Sequence, residues 1–305
     1  MPIITITSDW SRNDYYLPSL KGRLFSLYST CKEQNSCLLQ DGLNVVDISS
    51  SIKAFDIFEA CFVLKNSYHH FPDGSIHIIA VESELNRREE GALGGGAGED
   101  GSSVDMAIIK ARGHYFIGPD DGRFGLLFDG LDGIEAYRLS GRGINNGEGV
   151  LEIAKDNTFT ALGLFEYGVK MILDNGLQRL EPLVPKGAVV ECAAVNKDMI
   201  VGRVVYIDSY GNAIANISRE NFFKVVMAAM VGGAKNISYT IYVQGPYLKF
   251  ENICESYADV DEGEEVALFN SLDMLEFAIN KGNFAAIEGI DTTAEVVVKF
   301  KFSLE

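Results

Sequence analysis

The sequence predicts an α/β domain over residues 1–185 followed by a β-barrel-like domain over residues 186–305. Three observations carry that prediction. Strand-like and helix-like patterns alternate through the first half as β-α-β-α-β, the order that builds a sheet covered by helices. Residues 76–81 (IHIIAV) form a nearly continuous apolar run, the kind buried on both faces of a parallel sheet. Beyond Pro182, Pro185 and Gly187 the texture changes to short strand pairs with tight turns. The length, 305 residues at roughly 150 per domain, agrees with two domains.

Each element has its own justification. The β-branched run Ile3-Ile4-Thr5-Ile6-Thr7 ends in Ser8-Asp9 and reads as the first strand. A helix is expected over about residues 14–28, with Asp14 near its start and Pro18 in its first turns, where proline is tolerated. Asn44-Val45-Val46-Asp47-Ile48 is the second strand. Phe55, Phe58, Phe62 and Leu64 then mark one apolar helix face reaching about Tyr68. Pro72-Asp73-Gly74 turns the chain into the third strand. Residues 113–117 and 124–128 flank Pro119-Asp120-Asp121-Gly122 and are expected as strand, turn and strand. A helix over about residues 160–173 closes this half. In the second half, residues 204–207 and 213–217 pair around Tyr210-Gly211-Asn212, and residues 266–269 form a strand before Asn270-Ser271. The closing AEVVVKFKFSL alternates like an edge strand.

Composition excludes several classes. Apolar residues make up 47% and charged residues 23%, globular proportions that rule out a wholly disordered chain. No stretch approaches the roughly 20 apolar residues that span a bilayer, and no signal peptide is expected from MPIITITSDW. A net charge of −17 repels phosphate backbones, which argues against nucleic acid as a general partner. The five cysteines are scattered without a CxxC pair, so a reducing cytoplasm is expected, with each thiol a small buried apolar group. The four histidines show no ligand spacing, and no metal site is expected. Residues 91–104, with six glycines, read as a flexible surface loop; a phosphate cradle is the alternative, but the P-loop lysine is lacking.

In an open α/β sheet, ligands bind outside the carboxyl ends of the strands. Asp9 follows the first strand and Glu82 the third, so both should point into that crevice, with Asp47 a neighbour. Carboxylates on one rim can bind ribose hydroxyls, hold a cation or act as a base.

The chain resembles the S-adenosylmethionine (SAM) hydroxide adenosyltransferases, relatives of the SAM-dependent chlorinase and fluorinase. Five segments carry the resemblance: ITITSDWSRNDYYLPSLKG; NVVDIS followed by AFDIFEACFVLKNSYHHFPDGSIHIIAVE; GHYFIGPDDG; VVYIDSYGNAIANI; and LFNSLDMLEFAINKGN. It implies an N-terminal α/β domain, a C-terminal β-barrel and a homotrimer, with SAM bound between one subunit's N-terminal domain and a neighbour's C-terminal domain. Carried over by position, Asp9 would hold the ribose hydroxyls, and Asp14 would lie at the amino-acid end of SAM. Phe55 would pack beside the sugar and methionine portion. Asp208 would meet the methionine ammonium, Tyr210 and Asn212 the adenine, and Ser271 the methionine carboxylate. No cofactor beyond SAM as substrate is implied.

The implied reaction is displacement at the 5′ carbon of SAM by water or hydroxide, giving adenosine and L-methionine. Family members use an Asp of a VDPGVG-type motif, an Arg shortly after it, and the His of an STFHGRD-type motif. Here the first motif reads Val81-Glu82-Ser83-Glu84-Leu85-Asn86-Arg87-Arg88, so Glu82 replaces the Asp, and Arg88 or Arg87 stands in for the Arg at shortened spacing. Thr160 stands at the His position, and Ala161 where the fluorinase contacts halide through a serine. Thr160 cannot serve as a base near neutral pH. Three readings follow: a SAM hydrolase slowed by its altered triad, a catalytically inactive SAM- or adenosine-binding sensor, and an enzyme acting on a different nucleoside.

Overall fold

The computed structural model describes residues 3–11, 13–33, 42–83, 104–139 and 159–303. The chain divides into two compact units, Met1–Val190 and Glu191–Glu305.

The first unit runs β1 (Ile3–Ser8), α1 (Tyr16–Glu33), β2 (Asn44–Ser49), α2 (Ile57–Lys65), a 3-10 turn (Tyr68–His70), β3 (Ile76–Ala80), β4 (Met106–Ala111), β5 (His114–Pro119), α3 (Arg123–Phe128), β6 (Glu135–Leu139), α4 (Ala161–Leu173), a second 3-10 turn (Leu177–Arg179) and β7 (Glu181–Pro182). Its seven-stranded sheet has the order β2-β1-β3-β5-β4-β6-β7. β2, β1, β3 and β5 are parallel neighbours, and β4, β6 and β7 continue the sheet antiparallel. Side chains alternate between two cores. Ile4, Ile6, Ile76 and Ile78 pack with Leu17, Leu20 and Leu24 of α1 and Phe165, Val169 and Ile172 of α4. Ile79, Ile109 and Phe116 pack with Leu64 of α2 and Phe124, Leu127 and Phe128 of α3. Helices therefore cover both faces, and the carboxyl ends of β1, β2 and β3 share one rim.

Three expectations are corrected here. Residues 124–128 belong to helix α3, not a strand: Gly122 enters the left-handed region (φ 106°) and turns the chain straight into the helix. The partner of β5 is instead β4, joined to it through Arg112-Gly113. In α2 the buried residues are Ala60, Cys61 and Leu64, whereas Phe55 and Phe58 are exposed. Asp47 lies within β2, opposite Ile6, and its Oδ2 pairs with Lys21 Nζ at 2.7 Å, away from the rim.

The second unit runs β8 (Ala194–Val195), β9 (Met199–Ile207), β10 (Ala213–Ser218), α5 (Arg219–Val231), β11 (Asn236–Val243), β12 (Leu248–Phe250), a 3-10 turn (Tyr257–Asp259), β13 (Glu265–Phe269), β14 (Met274–Ile279), α6 (Phe284–Glu288) and β15 (Glu295–Ser303). Its antiparallel strands form an eight-stranded, nearly barrel-shaped sheet ordered β12-β11-β15-β9-β10-β14-β13, with β8 on β9. The closing strand is thus not an edge: β15 pairs with β11 on one side and β9 on the other. Its alternation comes from burial of Val296, Val298 and Phe300 on one face only. Helix α5 starts where the Ser218 hydroxyl accepts the Asn221 N–H at 3.1 Å. Among the described cysteines Cys61 is buried, but Cys254 is half-buried and Cys192 exposed, against the expectation of uniform burial. No described helix is long and apolar enough to cross a membrane.

Candidate functional site

At the rim of the first unit, Asp9 follows β1 directly. Its Oδ2 accepts two main-chain N–H groups, from Phe55 at 3.0 Å and from Glu82 at 3.3 Å. One carboxylate therefore ties together the chain segments leaving β1, β2 and β3. Both donors have left-handed backbones, Phe55 at φ 66° and Glu82 at φ 43°, conformations unfavourable for residues with a Cβ. The Phe55 loop is held from the other side as well: Glu59 Oε2 accepts Lys53 N–H at 3.2 Å, and Asp56 caps α2 through Glu59 N–H at 2.9 Å. Burial raises the Glu59 carboxyl above its usual range. The Phe55 ring and the Glu82 side chain are left exposed. Near them the Ser8 and Ser83 hydroxyls are buried without a hydrogen-bond partner among the described residues, atoms that a ligand or ordered water would satisfy.

The residue after Asp9 joins this rim to α4. Trp10 packs edge-on against Phe159 at 5.5 Å, and Tyr16 lies 4.6 Å from the same ring. Thr160 follows Phe159; it is buried and takes the N-cap position of α4, where its carbonyl accepts Leu164 N–H at 3.2 Å. Asp14 is exposed in the turn before α1, its N–H donating to the Ser11 carbonyl at 3.0 Å. Arg88, like Arg87 and the glycine-rich segment through residue 103, lies outside the described residues.

In the second unit the β9–β10 turn is braced by Asp208. Its Oδ1 accepts the N–H groups of Tyr210 and Asn212, both at 2.9 Å, and its Oδ2 accepts Asn212 Nδ2 at 3.0 Å. Because the partner is a carboxylate, the Asn212 amide must turn its NH₂ toward it. Its carbonyl oxygen and one N–H remain for another partner. Tyr210 is 76% exposed and Asn212 7%, so the turn offers an open ring beside a sheltered amide. Gly211 (φ 85°) sits against Asn283, the residue capping α6.

Ser271 is exposed on the β13–β14 turn. Asn270 builds that turn, its Oδ1 accepting from Leu272 N–H at 3.0 Å and Met274 N–H at 3.2 Å. The Asn270 Nδ2 donates to Glu276 Oε2 at 3.0 Å, and the Tyr257 hydroxyl donates to Glu276 Oε1 at 2.5 Å. Burial, the bond to Glu276, and the charges of Glu276 and Asp208 together raise the Tyr257 phenol well above its ordinary value. Glu276 is 3% exposed between Leu275 and Phe277, and β14 pairs with β10 next to the Asp208 turn. Sequence reasoning missed Tyr257 and Glu276; an acid within the apolar run Met274–Ile279 was the available signal. Among the described residues no group of three His, Cys, Asp or Glu side chains is disposed to hold a metal ion.

The first unit thus carries the Asp9 and Glu82 carboxylates on a parallel-sheet rim, the place where α/β proteins bind ligands, and the second unit carries a turn with a carboxylate, an amide and an open aromatic ring. Residues 4–93 match the SAM hydroxide adenosyltransferase N-terminal domain and residues 202–297 the SAM hydroxide adenosyltransferase C-terminal domain; the chain belongs to that family. It is 22% identical over 303 residues to (R)-S-adenosyl-L-methionine hydrolase of Methanocaldococcus jannaschii, covering 98% of this chain and 96% of the relative. Its fold is shared with an uncharacterized conserved protein from Thermotoga maritima (TM-score 0.67, 18% identity, 97% of this chain and 100% of the other). A conserved hypothetical protein from Thermus thermophilus shares it as well (TM-score 0.63, 20% identity, 98% of this chain and 100% of the other).

Proposed function

We propose that the protein hydrolyses SAM to adenosine and L-methionine. The oxygen of water forms a bond to the 5′ carbon, the bond from that carbon to the sulfonium breaks, and methionine leaves with the electron pair as a neutral thioether. The water gives up one proton to a base. Since the sulfonium is already a good leaving group, the protein has to align and desolvate the water and accept its proton.

The observation that carries this reading is the Asp9 carboxylate, fixed by Phe55 and Glu82 main-chain N–H groups through Oδ2 alone. Its Oδ1 accepts no bond from the described residues and suits a pair of ribose hydroxyls. In this reading Glu82 is the base, Asp14 and Phe55 flank the amino-acid end and sugar, and Asp208 receives the methionine ammonium. Tyr210 and Asn212 take the adenine, Ser271 takes the methionine carboxylate, and Thr160 lines the site where the family's histidine stands. Arg88, outside the described residues, is the candidate for the family's arginine. The sites are shared between neighbouring subunits of a cytoplasmic homotrimer, for which the mass of the native particle is the test.

A single-turnover incubation with SAM in ¹⁸O-labelled water, enzyme in excess, tests the chemistry. Labelled adenosine with free methionine is expected, and Glu82→Gln should slow its formation by about 10²–10⁴-fold. SAM bound but intact would leave a SAM-binding sensor as the correct reading.

A further inference from the structure

The first unit buries a guanidinium that none of the roles above uses. Arg123, the first residue of α3, has a fully buried side chain. It forms a two-pronged pair with Asp121, Nε to Oδ1 at 2.9 Å and Nη2 to Oδ2 at 2.6 Å. Its Nη1 donates to the main-chain carbonyl of Val81 at 2.9 Å, with the Ile79 carbonyl at 3.4 Å.

These two carbonyls explain the arrangement. β3 pairs with β5 only from Ile76 to Ile78. Further along, carbonyls two residues apart face the same edge, and there β5 has reached Pro119, which has no N–H to donate. The Arg123 guanidinium supplies the missing donor. Gly118 makes room, since a Cβ there would lie 3.4 Å from Arg123 Cδ and 3.3 Å from Ile79 Cβ. Val81 is the last residue before Glu82, whose backbone turns left-handed and sends its N–H to Asp9. The Arg123 guanidinium is fully buried while the Asp121 carboxylate reaches solvent, and taking the guanidinium out of water is a poor route to stability compared with apolar packing, so a directional role is the better account of this pair.

We infer that Arg123, held by Asp121, is a positioning residue that stands in for a sheet partner at the end of β3 and thereby sets Glu82 over Asp9. The inference rests on the proposed role of Glu82 and adds the device that fixes its geometry.

The test is a double-mutant cycle on the full-length protein with Arg123→Lys and Glu82→Gln. It is read as the single-turnover rate of SAM hydrolysis, the SAM Kd and the exchange of the amide hydrogens of residues 81–83. Lysine keeps the charge but lacks the fork that reaches Asp121 and Val81 together. Arg123→Lys should slow turnover at least about tenfold, leave Kd within about threefold, and speed exchange at Glu82; added to Glu82→Gln it should slow turnover no further. Should Arg123→Lys fail to fold, Asp121→Asn keeps the guanidinium, loosens one side of its fork, and enters the same cycle. Losses that multiply, or unchanged exchange at Glu82, would overturn the positioning role while SAM hydrolysis by the unsubstituted protein still stood. An unsubstituted protein that leaves SAM intact is a different failure, that of the hydrolase reading, and it removes this inference with it.

Discussion

Asp9 and Phe55, 46 residues apart, are joined by a 3.0 Å hydrogen bond from the Phe55 N–H to Asp9 Oδ2. This contact makes Asp9 a brace; in the proposed function it is a binding group as well, and the two duties separate by substitution. Asp9→Asn keeps the shape but loses the charge, and bonds to charged groups are worth about 1.5–3 kcal/mol. SAM affinity should therefore fall by about 10–100-fold, while thermal stability drops by only about 1 kcal/mol. Calorimetric titration alongside thermal melting checks both. Unaltered affinity would remove Asp9 from the binding site.

The hydroxyl of Tyr257 supplies one of the two hydrogen bonds that Glu276 receives from described side chains. Tyr257→Phe leaves a buried carboxylate oxygen without its donor, a loss of about 1–3 kcal/mol. The strain should reach Ser271 through Asn270, which bonds the other Glu276 oxygen and shapes the turn. If Ser271 holds the methionine carboxylate, SAM affinity should weaken in Tyr257→Phe more than adenosine affinity does. Equal weakening of the two ligands would separate this network from the amino-acid end.

What the sequence made legible follows from what each residue answers to. The strands β1 and β3 were readable because burial on both faces demands apolar runs such as Ile76–Ala80, and the edge strand β2, largely exposed, was readable from its β-branched Val45, Val46 and Ile48. The rim position of Asp9 followed from strand direction alone. Helix α3 was not readable, because the apolar residues of RFGLLF fit a buried strand as well as a short helix, and only the left-handed Gly122 decides between them. The Arg123–Val81 bond was equally hidden: it depends on where β5 stops pairing with β3, a tertiary fact. Phe55 misled the helix reading because it is apolar yet exposed, ahead of the helix it was expected to bury.

Gly211 has a positive φ and lies against the side chain of Asn283, whose Oδ1 caps α6 through Ala286 N–H at 2.8 Å. Alanine there meets two obstacles: a left-handed conformation costing about 1–2 kcal/mol, and an overlap with the capping amide. Gly211→Ala should destabilise the protein by about 2–3 kcal/mol and weaken adenosine binding, since Tyr210 and Asn212 flank the strained residue. Adding Asn283→Ala relieves the overlap, so the double variant should lose less stability than the two single losses combined. Additive losses in thermal melts would show that the two side chains do not collide.

His77 lies within the sheet with its Nδ1 2.7 Å from the Thr5 hydroxyl and its Nε2 3.2 Å from His114 Nδ1, while His114 Nε2 is 4.0 Å from Asp73. If the Thr5 hydroxyl donates to Nδ1, the Nε2–H of a neutral His77 donates to His114. Burial, with a smaller contribution from His114, pushes the His77 pKa down from 6.5 to about 3. Burial also lowers His114, against the opposing pull of Asp73. For a group whose folded pKa is depressed, the unfolded chain binds the proton first. Its contribution to stability is therefore complete above about pH 6.5 and is lost as pH falls toward 3. One such group tilts stability by up to about 1.4 kcal/mol per pH unit. His77→Gln can keep a donor and an acceptor without titrating, so its unfolding free energy, followed by urea denaturation between about pH 4 and 7, should depend less steeply on pH than that of the unsubstituted protein. Parallel curves for the two proteins would mean that His77 does not set the acid limit of this fold.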